Sequence, residues 1–120
     1  MAKSLKISEK NADFFEKVFM VVKQIPEGRV TSYGAIARYL GAGRSSRMVG
    51  WAMNVSHKQK AAIPAHRVVN RVGLLTGKNH FPTPFAMEEA LNIEGIEIED
   101  DQVVDFDNKF WDPSRELKID

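Results

Sequence analysis

Two closely spaced glycines, Gly41 and Gly43, interrupt the middle of the chain. Apolar residues recur at helical spacing on both sides of them, in a first stretch that ends near Leu40 and a second that runs to about Asn54. Two short helices joined by a glycine turn form a helix-turn-helix. The sequence therefore predicts this motif at the centre of the fold.

The second helix of the motif has two chemically different faces. We predict that it begins near Arg44 or Ser45, and that Thr31 caps the first helix. The apolar face carries Val49, Ala52 and Met53. The opposite face carries Arg47, Gly50 and Asn54. Because Gly50 in mid-helix costs about 1 kcal/mol relative to alanine, we expect another backbone to approach it closely, either that of DNA or that of a neighbouring helix.

Further helices are predicted on both sides of this motif. The first begins at the cap Asn11 and ends before Ile25–Pro26, because the residue before a proline disfavours helical geometry. Its apolar residues at helical spacing are Phe14, Phe15, Val18, Phe19 and Val22. The last helix begins at Thr83–Pro84 and ends at Gly95, with Met87, Ala90 and Leu91 facing inward.

Charge is distributed very unevenly along the chain. The span from Gly28 to Met87 carries nine of the 17 Lys and Arg residues, all three His residues and none of the 16 Asp and Glu residues. A polyanion is the natural partner of such a span, and a solvated surface with chance segregation is the alternative.

These elements predict a mainly α fold, a winged-helix or helix-turn-helix DNA-binding domain with a small β hairpin or wing. The hairpin is expected from residues 96–98 and 103–106, which are separated by acidic turn residues. A chain of 120 residues suits a single domain over residues 1–120. Residues 99–120 form an acidic tail that either packs by aromatic residues such as Trp111 or stays mobile.

Cysteine is absent, which excludes disulfides, thiolate zinc sites and every cysteine-based reaction. No apolar run approaches the roughly 20 residues of a membrane span, and no leader is recognisable. We therefore expect a cytoplasmic monomer that has no membrane association, no cofactor and no metal.

One short motif gives the most specific indication of function. The chain reads Pro64-Ala65-His66-Arg67-Val68 where the O6-alkylguanine-DNA alkyltransferases read Pro-Cys-His-Arg-Val. Other motifs of that family follow in order: Ile25-Pro26 with Gly28, Val30 to Tyr33, Arg47 to Gly50 with Ala52-Met53, Gly73, and Glu94-Gly95. Over about residues 14–98 the chain thus resembles the alkyltransferase-like members of this family, with Ala65 at the position of the acceptor cysteine.

The resemblance implies binding without catalysis. In the transferases a cysteine thiolate takes the alkyl group, assisted by a histidine and a glutamate that His66 and Glu94 match here. Alanine has no lone pair to offer, so no catalytic residue is assigned. The alternatives are a winged-helix regulator, which does not need this motif, and a hydrolase in which His66 and Glu94 activate water over Ala65.

The resemblance also implies a DNA face and a lesion pocket. In this family the helix-turn-helix enters the minor groove, a tyrosine rotates the nucleotide and an arginine fills its place, and Tyr33 and Arg47 hold those positions. The plainer alternatives are that Tyr33 is a surface aromatic and that Arg47 contacts a phosphate. The other implied DNA contacts are Ser32, Arg44, Ser45, Gly50, Asn54 and Arg71. The implied pocket residues are Pro64, Ala65, His66, Val68, Lys78 and Asn79.

Some positions depart from the family pattern. Lys78 stands where the transferases have a pocket tyrosine, and it is either a cation over a flipped guanine or an ordinary exposed lysine. Trp51 stands where a small residue is common. The additional N-terminal domain of the family, with its zinc site, is not expected here. The implied partners are double-stranded DNA that carries O6-alkylguanine and proteins of nucleotide excision repair.

Overall fold

The fold begins with a long helix, α1 (Ala2–Gln24). A computed structural model of the chain describes residues 2–41, 46–59 and 62–117, with side chains from residue 13 onward. Helix α1 ends before Ile25–Pro26 as predicted, but the predicted start at Asn11 was wrong. Residues 2–10 contain no Gly or Pro, so nothing in them stops the helix. Within the described ranges, no helix combines the length and the apolar character needed to cross a membrane.

Helices α2 (Tyr33–Tyr39) and α3 (Ser46–Ser56) form the predicted helix-turn-helix. Helix α3 runs past its predicted end at Asn54, and in its last turn the buried Ser56 hydroxyl donates to the Met53 carbonyl oxygen at 2.5 Å. The apolar faces of α2 and α3 pack with α1 into one core cluster. Its buried residues on these helices are Val18, Phe19, Val21, Val22, Ile36, Ala37, Val49, Ala52 and Met53.

The residue that caps α2 is Ser32, and the prediction of Thr31 was wrong by one position. The Ser32 Oγ accepts a hydrogen bond from the Ala35 N–H at 3.1 Å. A capping oxygen must lie on the residue directly before the first helical turn, and that residue is Ser32, because the helix begins at Tyr33.

A short parallel strand pair connects the helix-turn-helix to the Pro64–Val68 motif. Strand β1 (Thr31–Ser32) pairs with β2 (Val68–Val69), with Thr31 opposite Val68 and Ser32 opposite Val69. A 3₁₀ turn over Ala65–Arg67 leads directly into β2, and β1 leads directly into α2. The motif is therefore held beside the start of α2.

The last predicted helix is α4 (Ala86–Ile93), and it starts later than predicted. The Thr83 hydroxyl oxygen accepts from the Phe85 N–H at 3.3 Å, two residues on, so Thr83 stabilises a turn before the helix and does not cap it. Gly95, with φ +86°, follows the end of α4 as predicted. Met87 and Leu91 are buried, and Ala90 is half-buried.

The predicted hairpin is present, but its strands are shorter and lie nearer the turn than predicted, and Phe106, expected in the second strand, begins a helix. Strands β3 (Ile98–Glu99) and β4 (Gln102–Val103) pair antiparallel. Asp100 and Asp101 between them have φ of +52° and +62°, the left-handed geometry that a two-residue hairpin turn requires. The hairpin and α4 share a second core cluster, whose buried residues are Val30, Val69, Leu75, Met87, Leu91, Ile96 and Val103.

The acidic tail packs by its aromatic residues, which was the first of the two alternatives. It contains α5 (Phe106–Lys109) and α6 (Pro113–Glu116). Between them Trp111 is 4% exposed in the first core cluster, and its N–H donates to the Val30 carbonyl oxygen at 2.7 Å. The Arg29 guanidinium donates to two carbonyl oxygens of this segment at 3.0 and 2.5 Å.

We expect Trp111→Ala to lower the free energy of unfolding by about 3–5 kcal/mol, because it leaves a cavity in the first core cluster. Urea denaturation measures this change. The control is Trp51→Ala, which alters the other tryptophan of the chain, a residue of α3 that is 53% exposed. This variant should lower the free energy of unfolding by no more than about 0.5–1 kcal/mol. Equal losses for the two variants would contradict the packing of the tail into the core.

Candidate nucleic-acid interface

The carboxylate of Glu94 is the centre of a partly buried polar cluster. Glu94 lies at the end of α4, and its side chain is 8% exposed. The His66 Nε2 lies 2.6 Å from its Oε2. The Arg67 Nη2 donates to the same oxygen at 2.7 Å, and the Gly28 N–H donates to Oε1 at 2.9 Å. The predicted pairing of His66 with Glu94 is thus present, but it belongs to a larger cluster.

Arg67 is a member of this cluster that sequence reasoning missed. Its Nε also donates to both carboxylate oxygens of Glu94, at 3.0 and 3.1 Å, and its Nη1 donates to the Ile25 carbonyl oxygen at 2.9 Å. The side chain is 15% exposed. The only signal was its place in the Pro64–Val68 motif, because an arginine by itself is expected to face solvent.

Gly28 reaches this cluster because of its backbone geometry. Its φ of +84° lies in the left-handed region, which favours glycine. An added Cβ would lie 3.4 Å from the Glu94 carbonyl oxygen. The turn predicted around Pro26 to Gly28 therefore directs a backbone donor at the carboxylate.

The cluster keeps the Glu94 carboxylate ionised. Burial raises the pKa of Glu94, but the hydrogen bonds from Arg67, from the Gly28 N–H and from His66 outweigh burial and lower this pKa to about 2. An ionised carboxylate only accepts hydrogen bonds, so the His66 Nε2 donates to it. Glu94 thereby orients the imidazole of His66, and the preceding residue is Ala65.

The structure separates the predicted pocket residues into accessible and buried groups. Pro64 and His66 are half-buried and Asn79 is exposed, whereas Ala65 is 6% exposed. Val68 is a correction: its side chain is 1% exposed in the core, because it belongs to β2, so only its backbone is available to line a pocket.

Lys78 is paired with a carboxylate of the hairpin turn. Its Nζ donates to the Asp101 Oδ2 at 2.5 Å, and the two side chains are 33% and 46% exposed. The contact is a partly exposed surface ion pair. A role above a flipped base requires this pair to open or to move.

Helix α3 presents the polar face that was predicted to meet DNA. Arg47 and Asn54 are exposed, and Gly50 lies between them on the same face. No described atom lies within 4 Å of a Cβ added at Gly50, so close packing against a neighbouring helix was the wrong alternative. The face remains open to a ligand backbone. Arg44 and Ser45, predicted as further contacts, lie outside the described residues.

Two predicted contacts on the other helix are less accessible. The Ser32 side chain is 4% exposed and its hydroxyl caps α2, yet Ser32 still lines the surface groove beside the starts of α2 and α3. Tyr33 is half-buried against the first core cluster, and its hydroxyl lies close to Gly77. Burial raises the pKa of Tyr33, and a hydrogen bond with Thr76 partly opposes this. Tyr33 thus connects the start of α2 to the loop before Lys78, and its accessible part lines the surface groove beside α2.

A surface groove of about 580 Å³ lies beside the starts of α2 and α3. It is lined by the predicted contact Arg71 and by Arg38, together with Ser46 and Asn70. Sequence reasoning did not predict Arg38 as a DNA contact, although its position in the span that lacks Asp and Glu indicated one. Two guanidinium groups on one groove favour a phosphate, while Asp107 on the same groove lowers the local positive charge.

Among the residues that the structure describes, no group of three or more His, Cys, Asp or Glu side chains could hold a metal ion. The polar cluster around Glu94 is instead neutralised by Arg67.

We expect Glu94→Gln to lower the free energy of unfolding at pH 7 by about 3 kcal/mol, because Arg67 loses its buried counter-charge. The folded pKa of Glu94 lies below its ordinary value of 4.5, so its stabilisation is present above that pH and is lost as the pH falls toward about 2. Urea unfolding across this range should therefore depend less on pH in the variant. The exposed Glu97→Gln serves as control, and an identical acid response in both variants would contradict the cluster.

Comparison with known proteins places these features in a family. Residues 13–96 match the family model of the 6-O-methylguanine DNA methyltransferase DNA-binding domain. The chain is 37% identical over 86 residues to alkyltransferase-like protein 1 of Schizosaccharomyces pombe, covering 72% of this chain and 79% of that protein. It is 35% identical over 105 residues to the DNA base-flipping protein of Escherichia coli, covering 86% of this chain and 78% of that protein.

The fold has a solved counterpart as well. The crystal structure of S. pombe Atl1 in complex with damaged DNA containing O6-carboxymethylguanine superposes with a TM-score of 0.75 at 32% identity, covering 85% of this chain and 97% of that one. The predicted resemblance and the predicted fold class are both confirmed. The chain belongs to the family of 6-O-methylguanine DNA methyltransferase DNA-binding domains.

Proposed function

We propose that this protein binds O6-alkylguanine in duplex DNA by turning the base out of the helix, and that it does not remove the alkyl group. One observation carries the proposal: Ala65 precedes a histidine that is oriented by Glu94 at 2.6 Å. The base of the alkyltransferase site is in place, and the atom that would take the alkyl group is absent. With no cysteine in the chain, no neighbour supplies a thiolate.

The exposed surface supports DNA as the ligand. Helix α3 presents Arg47 beside a glycine face with open space in front of it, and Arg38 and Arg71 line the adjacent groove. These residues belong to the span that lacks Asp and Glu. The S. pombe relative was solved with DNA containing O6-carboxymethylguanine, which supports an alkylated guanine as the target.

A protein of this kind acts by marking a lesion. Because it holds the damaged base without repairing it, the damage must pass to another system, and we propose nucleotide excision repair. Occupation of the lesion also shields it from a true transferase while the complex lasts.

A hydrolytic enzyme is the second candidate, favoured by the intact pair of His66 and Glu94. In that case water would attack the alkyl carbon and leave guanine and an alcohol. General base catalysis accelerates a reaction only about 10²–10⁴-fold, which is far less than the acceleration that displacement of an alkyl group from an aryl ether by water needs. A plain winged-helix regulator is the third candidate, and it has no use for the buried Glu94 cluster.

We expect tighter binding of one duplex sequence when its central guanine carries an O6-methyl or a bulkier O6-alkyl group than when it is unmodified. Contacts between the site near Ala65 and the alkyl group add to the affinity, and the unmodified duplex cannot make them. Fluorescence anisotropy of the labelled duplex measures binding. Radiolabel in the alkyl group should remain on the DNA after denaturation, without appearing on the protein or as free alcohol.

The matched variant for this experiment is Ala65→Cys, which places a thiol beside the His66 base and should take up the label. Equal affinity of the wild-type protein for all three duplexes would leave only the regulator. Release of free alcohol by the wild-type protein would establish the hydrolase, and label on its side chains would refute binding without transfer.

We expect Arg47→Ala to cost about 1–3 kcal/mol in binding of the alkylated duplex and less in binding of the unmodified duplex. Without the guanidinium, the space left by the flipped base stays unfilled, so discrimination between the duplexes shrinks. The same anisotropy titrations measure both losses.

The control for Arg47 is Arg115→Ala, which removes an exposed guanidinium on α6, outside the acid-free span. It should change neither affinity appreciably. If Arg47→Ala weakens both duplexes equally, Arg47 is a phosphate contact and does not fill the stack.

A further inference from the structure

Trp51 is a large aromatic side chain that the core does not use. It lies on α3 and is 53% exposed, whereas Trp111, the other tryptophan, is 4% exposed. Indole burial is strongly favourable, so a half-exposed tryptophan on a helix surface is available to a ligand.

The neighbours of Trp51 identify the ligand. Arg47 lies one helical turn before it and Val55, which is 37% exposed, lies one turn after it, so the three side chains share one face of α3. Gly50 lies directly beside this face and leaves space in front of it. The apolar pair is therefore continuous with the residues proposed to meet DNA.

We propose that Trp51 packs against the minor-groove wall of the duplex next to the flipped nucleotide, and that it supplies affinity that does not depend on the lesion. This inference rests on the proposed function. The walls of the minor groove are deoxyribose rings, which offer an apolar surface to the indole, and other minor-groove proteins use apolar side chains in the same groove.

Helical geometry explains why Trp51 and Arg47 act differently. Residues one turn apart are about 6 Å apart along the helix axis, and base pairs are stacked about 3.4 Å apart. When Arg47 fills the gap in the stack and α3 follows the groove, Trp51 lies at most about two base steps away, beside neighbouring base pairs that stay stacked. Its contact is thus the same in damaged and undamaged DNA, while that of Arg47 depends on the flipped base.

The two tryptophans provide a direct readout. In Trp111→Phe, Trp51 is the only tryptophan of the protein, and red-edge excitation that spares the tyrosines reports it alone. An unlabelled duplex should shift and quench its emission and reduce its access to acrylamide several-fold. In the complementary variant Trp51→Phe, the buried Trp111 should respond little to the duplex. Should Trp111→Phe fold poorly, the wild-type signal minus that of Trp51→Phe gives the same quantity.

Affinity gives the second measurement. Trp51→Ala should weaken binding of the alkylated and unmodified duplexes by the same factor, about tenfold, as expected for loss of a partly buried indole contact. Discrimination between the two duplexes should stay unchanged. Met20→Ala is the matched control, because Met20 is 65% exposed on α1, away from this face, and its removal should leave both affinities unaltered.

The outcomes separate this inference from the proposed function. If anisotropy detects binding while Trp51 emission and acrylamide access stay constant, the inference is overturned and the proposed function stands. If Trp51→Ala weakens only the alkylated duplex, Trp51 acts at the lesion and the wall contact is refuted. If the wild-type protein binds no duplex, the proposed function itself fails.

Discussion

Hydrogen bonding to the Glu94 carboxylate fixes the positions of segments that are far apart in the sequence. His66 and Arg67 approach it from the 3₁₀ turn, and the Gly28 N–H approaches from the turn after α1. Arg67 then continues to the Ile25 carbonyl oxygen at the end of α1. Because a partly buried charge is costly when it loses a partner, each of these segments holds the others in place. The base over Ala65 is oriented by the same contacts that maintain the fold.

The parts of the fold that could be predicted are those set by local sequence. The buried face of α3 follows from helical periodicity, and the end of α1 follows from Pro26. The hairpin follows from two apolar segments around acidic turn residues, and Asp100 and Asp101 adopt the left-handed backbone there. The family motif, with Ala65 at the cysteine position, predicted the site on which the proposed function rests.

The parts that could not be predicted depend on contacts between distant residues. Thr31 and Ser32 are both good caps, and the position at which the strand ends and α2 begins, set by the pairing with Val68 and Val69, decides between them. Arg67 is turned inward by a carboxylate 27 residues away, which no local pattern reports. Trp111 joins the first core cluster from beyond the matched residues 13–96, because its segment pairs with Val30.

The parallel pair of β1 and β2 also bears on how the protein meets a double helix. It connects the start of α2 to the turn that carries Ala65 and His66, with no spacer on either side. The helices that we propose to meet the groove and the turn that we propose to hold the base are thus joined without a linker. If they dock as a unit, the duplex supplies the deformation, and the elastic cost depends on the stiffness of its base steps. Flexible pyrimidine–purine steps beside a lesion would lower this cost, and they would favour detection of the lesion even where the protein does not contact them.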